Sequence, residues 1–335
     1  MKGKKLSLFV LCSILAVSLF PLKVLAAPFY EGKVIKIIVG HGVGGGYDQT
    51  TRVLARFLPK HIPGKPSIFV ENMPGGGTVI AANHLYKAAK ADGSVIGLVD
   101  KGLPFMQLLK PDMLKVDLRR FGWLGSQFPD AFLLAIRADL PYRSYADLLK
   151  AEKPIHVGTV GPTTTDHQYP LMLKEYAGLK CNFVLYLSSA ASSLALERKE
   201  TDARAASFAV LRPYIERGLV RPLIRGRVSE PEIDNLPLDE DLATSRIGKE
   251  IFKTFSAVNQ TGRCYFTPPG TPPEVLAILR KAMAETCEDP EFKGAFKKLG
   301  FTVRFTPAEE IEKSVNFILN QPEDIVKELN KIMQF

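Results

Sequence analysis

Residues 34–48 read VIKIIVGHGVGGGYD, a run rich in valine and isoleucine followed by a loop with five glycines. The run favours a buried strand, and the next residues, 47–58, place apolar side chains at helical spacing. Glycines let the chain turn sharply and allow a ligand to approach main-chain N–H groups. Because the N-terminus of a helix faces the same space, this stretch predicts a strand–loop–helix unit that binds an anion.

Strands and helices alternate along the rest of the chain. This alternation is typical of an α/β protein with a mainly parallel sheet, and a second series of units after Trp123 indicates a second domain. The predicted strands are residues 34–39, 67–71, 95–99, 131–137, 155–159, 182–187, 203–207, 220–225, 263–266 and 301–305. The predicted helices are residues 47–58, 79–89, 144–150, 167–177, 190–198, 211–217 and 291–299, with one more starting at Pro273.

The first 26 residues have the layout of a secretory signal peptide: early lysines, an apolar run from Leu6 to Phe20, and small residues ending at Ala26. A membrane-spanning helix is the alternative. Such a helix needs about 20 apolar residues, and this run meets Pro21 and Lys23 first. We therefore predict cleavage after Ala26 and export of the mature chain.

Composition and charge narrow the class of protein. The chain has 335 residues, 46% hydrophobic and 24% charged, which is typical of a soluble protein that folds without metals or cross-links. Removing residues 1–26 takes away four lysines and no acid, so the net charge falls from +9 to +5. The basic residues are not concentrated in one segment, which argues against nucleic-acid binding. Of the mature cysteines, Cys264 and Cys287 could form a bridge, or these two and Cys181 could be buried thiols.

Three further loops occupy the same position as the first, between a predicted strand and a predicted helix. Residues 73–78 (MPGGGT) follow the second predicted strand, residues 158–166 (GTVGPTTTD) lead into a helix, and Ser188 and Ser189 occupy the same place one unit later. Hydroxyl residues at such positions ordinarily cap their own helix, but three consecutive threonines exceed that need. The loops together predict a cleft lined by main-chain and hydroxyl donors.

A dinucleotide-dependent oxidoreductase is the alternative that the first loop raises. Gly40, Gly42 and Gly45 match the G-x-G-x-x-G fingerprint, and Glu71 ends the next strand. Soluble dinucleotides are scarce where an exported protein acts. A dinucleotide-binding fold also needs only one glycine loop, whereas this chain has two. We therefore predict no cofactor. The sequence carries no hydrolase, metalloprotease or calcium motif, so we predict neither a catalytic residue nor a metal ligand. His41 is expected to hydrogen-bond to the ligand or the backbone.

These loops, in this order after a signal peptide, resemble the extracytoplasmic solute receptors of tripartite tricarboxylate transporters, often called Bug receptors. The resemblance covers nearly the whole mature chain. Its motifs are residues 44–48 (GGGYD) with Arg52, residues 71–77 (ENMPGGG), residues 92–93 (DG) and residues 268–273 (PPGTPP). The resemblance implies a two-lobed clamshell of the type II periplasmic-binding-protein fold. Lobe 1 would comprise residues 27–125 and 260–335, and lobe 2 residues 126–259.

The resemblance also implies which residues bind the ligand. In such receptors the glycine loops hold a carboxylate through main-chain N–H groups and bridging water, and hydroxyl loops of the second lobe contact the rest. Carried over to this chain, the ligand-binding residues are Val43, Gly44, Gly45, Tyr47, Pro74, Gly75, Gly76, Gly77, Thr78, Thr163, Thr164, Thr165, Ser188, Asp202, Ala206 and Ser207.

By this resemblance the chain would be a monomeric periplasmic receptor and not an enzyme. It would capture a di- or tricarboxylate or an aromatic acid and deliver it to the membrane subunits of a transporter. A sensor that presents its ligand to a signalling receptor remains an alternative, as does an exported hydrolase or oxidoreductase.

Three features depart from the family pattern. Residues 41–43 (HGV) replace the usual proline-rich start of the first loop, and the other two departures are single residues. Tyr47 replaces a small residue and either stacks on an aromatic ligand, narrows the cleft or packs on the surface of its lobe. Asp166 stands where a neutral residue would suit an anion. It either caps its helix or points inward, where it would disfavour a second carboxylate.

Overall fold

The computed structural model describes residues 27–332, so the predicted signal peptide lies outside the described residues. The strands are β1 (Val34–Val39), β2 (Ser67–Asn72), β3 (Val95–Leu98), β4 (Gly122–Ser126), β5 (Phe132–Arg137), β6 (Ile155–Thr159), β7 (Cys181–Leu185), β8 (Ala203–Ser207), β9 (Val220–Arg225), β10 (Cys264–Thr267) and β11 (Thr306–Pro307). The helices are α1 (Gly46–His61), α2 (Val79–Lys87), α3 (Leu103–Leu109), α4 (Tyr145–Leu149), α5 (Thr165–Tyr176), α6 (Ser189–Glu197), α7 (Phe208–Glu216), α8 (Asp239–Leu242), α9 (Arg246–Thr261), α10 (Pro273–Glu288), α11 (Pro290–Lys298), α12 (Ala308–Leu319) and α13 (Glu323–Ile332).

The strands form two mixed sheets. The first has the order β11-β4-β10-β3-β1-β2, and the second has the order β7-β6-β8-β5-β9. Strands β2, β1 and β3 pair in parallel, as do β7, β6 and β8. Strand β10 is antiparallel to β3 and β4, and β5 is antiparallel to β8 and β9. The α/β class is therefore confirmed. Four strands of each sheet run in one direction, as expected, but β5, β10 and β11 run in the opposite direction, so both sheets are mixed.

Alternating side chains bury both faces of the first sheet. Ile37 and Val39 point toward a core that helices α1, α10 and α11 complete, whereas Ile38 points toward a core shared with α2, α3 and α12. Successive side chains of a strand face opposite sides of the sheet, so one strand supplies both cores.

The second sheet is buried in the same manner. Leu134 and Ile136 of β5 face one core, and Leu133 and Ala135 face the other. Helix α9 adds Phe252 and Phe255 to the first of these cores. This 16-residue helix was not predicted, and neither were α3 and β4.

The chain crosses between the sheets twice, after β4 and before β10. The two crossings touch each other, because the Asp130 N–H donates to the Asn259 carbonyl oxygen at 2.7 Å. The C-terminal helix α13 packs Ile325 and Leu329 into the core of the second sheet. The domain boundaries at residues 125 and 260 stay a prediction.

Two smaller expectations are wrong. The stretch 301–305 is not a strand: only residues 306–307 pair with β4, while Phe301 packs its ring 4.7 Å from that of Phe128. Cys181, Cys264 and Cys287 are all free thiols, so the Cys264–Cys287 bridge is not formed. Cys181 and Cys287 are buried, as the alternative expected, whereas Cys264 is only partly buried. Within residues 27–332 no helix combines the length and the apolar character needed to cross a bilayer.

Candidate functional site

The loops at one edge of each sheet meet around a small cavity. Strands β1, β3, β6 and β8 end at this edge, and the antiparallel strands β5 and β10 begin there. Such a convergence of strand ends is where ligands bind in open α/β sheets. The cavity has a volume of about 40 Å³ and is lined by His41, Gly46, Tyr47, Asp100, Asp130, Phe132, Val160, Thr165, Asp166, Ser189, Arg204, Ala206, Ser207, Val210 and Arg263.

The two halves of the molecule touch across this cavity. The Thr163 hydroxyl lies 3.2 Å from the Gly76 carbonyl oxygen and donates at 3.0 Å to that of Gly77. The Thr165 N–H donates to Asp100 Oδ1 at 3.1 Å. Gly77 has φ +59°, and a side chain there would collide with the Thr163 hydroxyl. The second glycine loop is therefore shaped for close contact between the lobes, and it presents carbonyl oxygens to Thr163.

A hydrogen-bonded brace holds the first glycine loop. Asp48 accepts from the Gly44 N–H, from Arg52 Nε and from Asn72 Nδ2, each at 2.9 Å. Asn72 Nδ2 also donates to the His41 carbonyl oxygen at 2.9 Å. Although burial alone would raise it, these donors hold the pKa of Asp48 below its usual value. Asp48, Arg52 and Asn72 thus fix the loop conformation.

Tyr47 fills part of the cleft. Its ring stacks on that of His41 with centroids 4.1 Å apart, and its hydroxyl accepts from the Lys101 N–H at 3.3 Å. The Arg263 guanidinium lies 4.7 Å from the centre of the same ring. Tyr47 therefore lies between the cavity and the core of its own lobe, and its contact with a ligand stays a prediction.

Arg204 is the largest of the fully buried side chains, and it lines the cavity. It lies on β8 opposite Gly158 of β6, and its terminal nitrogens donate to the hydroxyls of Ser189 and Ser193 on α6. Its Nε has no hydrogen-bond partner. A buried guanidinium with a free N–H lies on the wall of the cavity.

A second buried arginine approaches from the other side. Arg263 Nη2 donates to the Ser207 hydroxyl at 3.0 Å, and its Nε lies 3.9 Å from Asp130 Oδ2 without a hydrogen bond. Asp130 pairs directly with Lys101. Burial alone would raise the pKa of Asp130, but Lys101 and Arg263 lower it. Asp130 is therefore a carboxylate already held by two cations.

Asp166 points into the cavity from the N-terminus of α5. It accepts from the Val160 N–H at 2.9 Å and from the Thr164 hydroxyl. Burial raises the pKa of the Asp166 carboxyl to about 6, although Thr164 and the nearby Arg204 oppose that shift. The inward position that the sequence left open is the observed one.

The predicted ligand-binding residues fall into different places. Tyr47, Thr165, Ala206 and Ser207 line the cavity. A second set supports or joins the loops without lining it, namely Gly44, Gly45, Gly76, Gly77, Thr78, Thr163, Thr164 and Ser188. Ser188 caps its own helix by accepting from the Ala191 N–H at 3.2 Å. Ligand binding by either set stays a prediction.

The remaining predicted residues lie outside the cavity. The Val43 side chain is 67% exposed, and Pro74 and Gly75 do not line the cavity. Asp202 precedes β8, whereas the cavity lies at the other end of that strand, and its carboxylate accepts from the His156 N–H at 2.9 Å. We therefore correct the expected placement of Asp202: it braces the far edge of the second sheet.

Apart from Asp166, the charged residues of the cavity were not predicted from the sequence. Asp100 directly follows β3, so the rule that parallel strands end at one edge could have indicated it. Arg204 is the only charged residue in the strand ARAAS, which was a usable signal. Asp130 and Arg263 precede antiparallel strands, and nothing local in the sequence shows that those strands begin at the cavity. Within residues 27–332 no cluster of three His, Cys, Asp or Glu side chains could hold a metal ion.

Two α/β lobes that the chain crosses twice, and that close on a polar cavity, define a two-lobed solute-binding protein. The model of the family described as "Tripartite tricarboxylate transporter family receptor" matches residues 51–331. The chain belongs to this family, which is one of receptors and not of enzymes. The resemblance that the loops indicated is confirmed.

Known proteins of similar sequence and structure agree with this assignment. A UPF0065 protein of Bordetella pertussis is 24% identical over 311 residues, which cover 90% of this chain and 91% of that protein. The structure of the periplasmic binding protein BugD matches with a TM-score of 0.74 at 21% identity, covering 90% of this chain and 98% of BugD. The structure of MatC from Rhodopseudomonas palustris with bound malate matches with a TM-score of 0.71 at 16% identity. The match covers 94% of this chain and 100% of MatC. The two-lobed fold class is confirmed.

Proposed function

We propose that this protein is a periplasmic receptor that binds a small carboxylate between its two lobes and delivers it to the membrane subunits of a tripartite transporter. The lobes would be residues 27–125 with 260–335, and residues 126–259, and the mature protein would act as a monomer after cleavage at Ala26. Membership of the receptor family supports this function. The malate bound to MatC, a protein of the same fold, supports a carboxylate as the ligand.

The observation that carries the proposal is the pattern of unused hydrogen-bonding groups around the cavity. Arg204 Nε, Arg263 Nε and His41 Nε2 are buried and lack a hydrogen-bond partner, although His41 Nε2 lies 3.3 Å from Asp100 Oδ2. The cavity carboxylates Asp100, Asp130 and Asp166 all accept from donors of the protein. Buried donors without partners are costly, and a ligand that accepts hydrogen bonds satisfies them. A carboxylate has the acceptor geometry that guanidinium groups prefer.

The test is the thermal stability of the mature protein, residues 27–335, with a panel of ligands. A ligand at a hundred times its dissociation constant adds about 2.7 kcal/mol if it binds only the folded state. We expect propionate or another small carboxylate to raise the melting temperature by several degrees, and the uncharged propionamide to leave it unchanged. A rise with NAD and with no carboxylate would contradict the proposal.

A further inference from the structure

We propose, on the basis of the carboxylate-receptor function above, that Arg204 anchors the carboxylate of the ligand and that Asp166 restricts the ligand to small monocarboxylates. This differs from the di- or tricarboxylate or aromatic acid expected from the family resemblance. The two residues lie on different elements of the same lobe, β8 and α5, and line the same cavity.

Arg204 is a buried cation without a direct ion pair, and Asp166, the carboxylate that opposes its charge, lies beyond 4.0 Å. The Arg204 side chain is 1% exposed, and among residues 27–332 no carboxylate lies within 4.0 Å of its guanidinium. An arginine stays protonated in proteins, so it cannot escape the cost of burial by losing its charge. The hydroxyls of Ser189 and Ser193 occupy Nη2 and Nη1 but supply no negative charge. The free Nε leaves this guanidinium open to an anion from the cavity.

The other buried cations, Arg263 in the cavity wall and Lys101 behind it, already lie near a carboxylate. Lys101 pairs with Asp130, and the same carboxylate lies 3.9 Å from Arg263 Nε. Arg263 also donates to Ser207 at 3.0 Å and lies over the ring of Tyr47. Of these three cations, Arg204 is therefore the one that a negatively charged ligand would stabilise most.

Charge balance limits the ligand to one carboxylate. Without a ligand, Arg204, Arg263 and Lys101 balance Asp100, Asp130 and Asp166. One bound monocarboxylate adds a single negative charge, and Asp166, with its pKa raised by burial to about 6, can take up one proton. A second ligand carboxylate would have neither a cation nor a further proton to balance it, and an uncompensated charge is costly in a buried site.

The size of the cavity points to the same class of ligand. It encloses about 40 Å³ when the loops are in contact. About 10–15 Å³ of such space holds one water molecule, so the cavity has room for about three water molecules or one short-chain acid. Phe132 and Val210 supply apolar wall for a short chain. A tricarboxylate or an aromatic acid needs more room.

The experiment compares acids of equal length by isothermal titration calorimetry at pH 7.5 in chloride-free buffer. The pairs are propionate with malonate and butyrate with succinate. The variants are Arg204→Gln, Arg204→Lys and Asp166→Asn. Arg221→Gln is the matched control, because Arg221 lies on β9 of the same sheet, away from the cavity, and donates to the Tyr142 and Ala138 carbonyl oxygens.

We expect wild type and Arg221→Gln to bind a monocarboxylate at least tenfold more tightly than its dicarboxylate partner. Arg204→Gln should lose at least tenfold in affinity without a fall in the melting temperature of the unliganded protein, because the change removes an unpaired buried charge. The affinity of Arg204→Lys should lie between those of wild type and Arg204→Gln. Asp166→Asn should bind malonate or succinate more tightly than wild type does.

Three results would overturn the inference while leaving the receptor function intact: undiminished binding by Arg204→Gln, tighter binding of the dicarboxylate by wild type, or a stabilisation by sodium chloride equal to that by the acids. If no carboxylate binds to wild type, the proposed function fails and the inference fails with it.

Discussion

The buried charged residues near the cavity differ in their partners: some contact an opposite charge, and others contact only uncharged groups. Lys101 and Asp130 pair with each other, whereas Arg204 has only hydroxyl partners. Breaking a buried pair leaves an uncompensated charge, which is strongly destabilising, but removing an unpaired charge relieves a cost. The same kind of substitution should therefore act in opposite directions at Lys101 and at Arg204.

Asp166 should make the stability of the unliganded protein depend on pH. Its pKa of about 6 exceeds the usual 3.8, so between about pH 4 and 6 the folded state binds more protons than the unfolded state. The free energy of unfolding should therefore fall as pH rises through this window. The groups that face Asp166 are Thr164, Arg204, Asp100 and His41.

The Asp166→Asn variant isolates this effect. The free energy of unfolding is measured by urea titration. The value for Asp166→Asn minus that for wild type should increase by up to about 3 kcal/mol as pH rises from 4 to 6. Asp241→Asn, which alters an exposed carboxylate, is the control and should track wild type. If the difference in free energy of unfolding between Asp166→Asn and wild type stays constant across this pH window, burial does not raise the pKa of Asp166.

At the scale of elements, helix α9 joins the two lobes and is capped by a single side chain. The Ser245 hydroxyl accepts from the Gly248 N–H at 3.0 Å. We expect Ser245→Ala to lower the free energy of unfolding by about 1 kcal/mol, because an N–H of the first turn loses its acceptor. Ser245→Asp should restore stability. Urea unfolding measures both, and equal stability of Ser245→Ala and wild type would show that the cap contributes nothing.

Elements with a strong local signal could be predicted from the sequence, and those that depend on distant partners could not. The bounds of β1 match the prediction because valine and isoleucine fill a strand buried on both faces. Strand β4 (GWLGS) has two glycines and a weak strand propensity, yet β10 and β11 pair with it on either side. Helix α9 did carry a signal, since Ile251, Phe255 and Val258 recur at helical spacing.

At the scale of the whole molecule, contact between the lobes depends on the second glycine loop. Gly76 and Gly77 have similar φ values of +55° and +59°, so alanine strains the backbone equally at both positions. At Gly77 the added methyl group would also collide with Thr163, whereas at Gly76 its nearest neighbour is Val79, 3.5 Å away in the same lobe.

We expect Gly77→Ala to abolish the rise in melting temperature caused by a bound carboxylate and Gly76→Ala to retain it. The unliganded melting temperatures of the two variants should fall by similar amounts. Thermal melts with and without propionate measure both quantities. Equal ligand-induced shifts in the two variants would mean that binding does not require contact between Gly77 and Thr163.

The position of the candidate site could be predicted from the sequence, but most of its charged residues could not. Glycine and hydroxyl loops at strand ends located the cleft, because that rule needs only the order of strands along the chain. The charges come from Arg204, inside a strand, and from Asp130 and Arg263, where the chain crosses between sheets. Their convergence depends on sheet order, which local sequence does not encode.

The most direct test of carboxylate capture at Arg204 is a crystal structure of the mature protein grown with the monocarboxylate that stabilises it most. We predict that both carboxylate oxygens lie within hydrogen-bond distance of the protein, with at least one on the Arg204 guanidinium and the Thr163–Gly77 contact intact. A carboxylate bound only by the glycine-loop N–H groups, with Arg204 still facing no anion, would contradict that assignment.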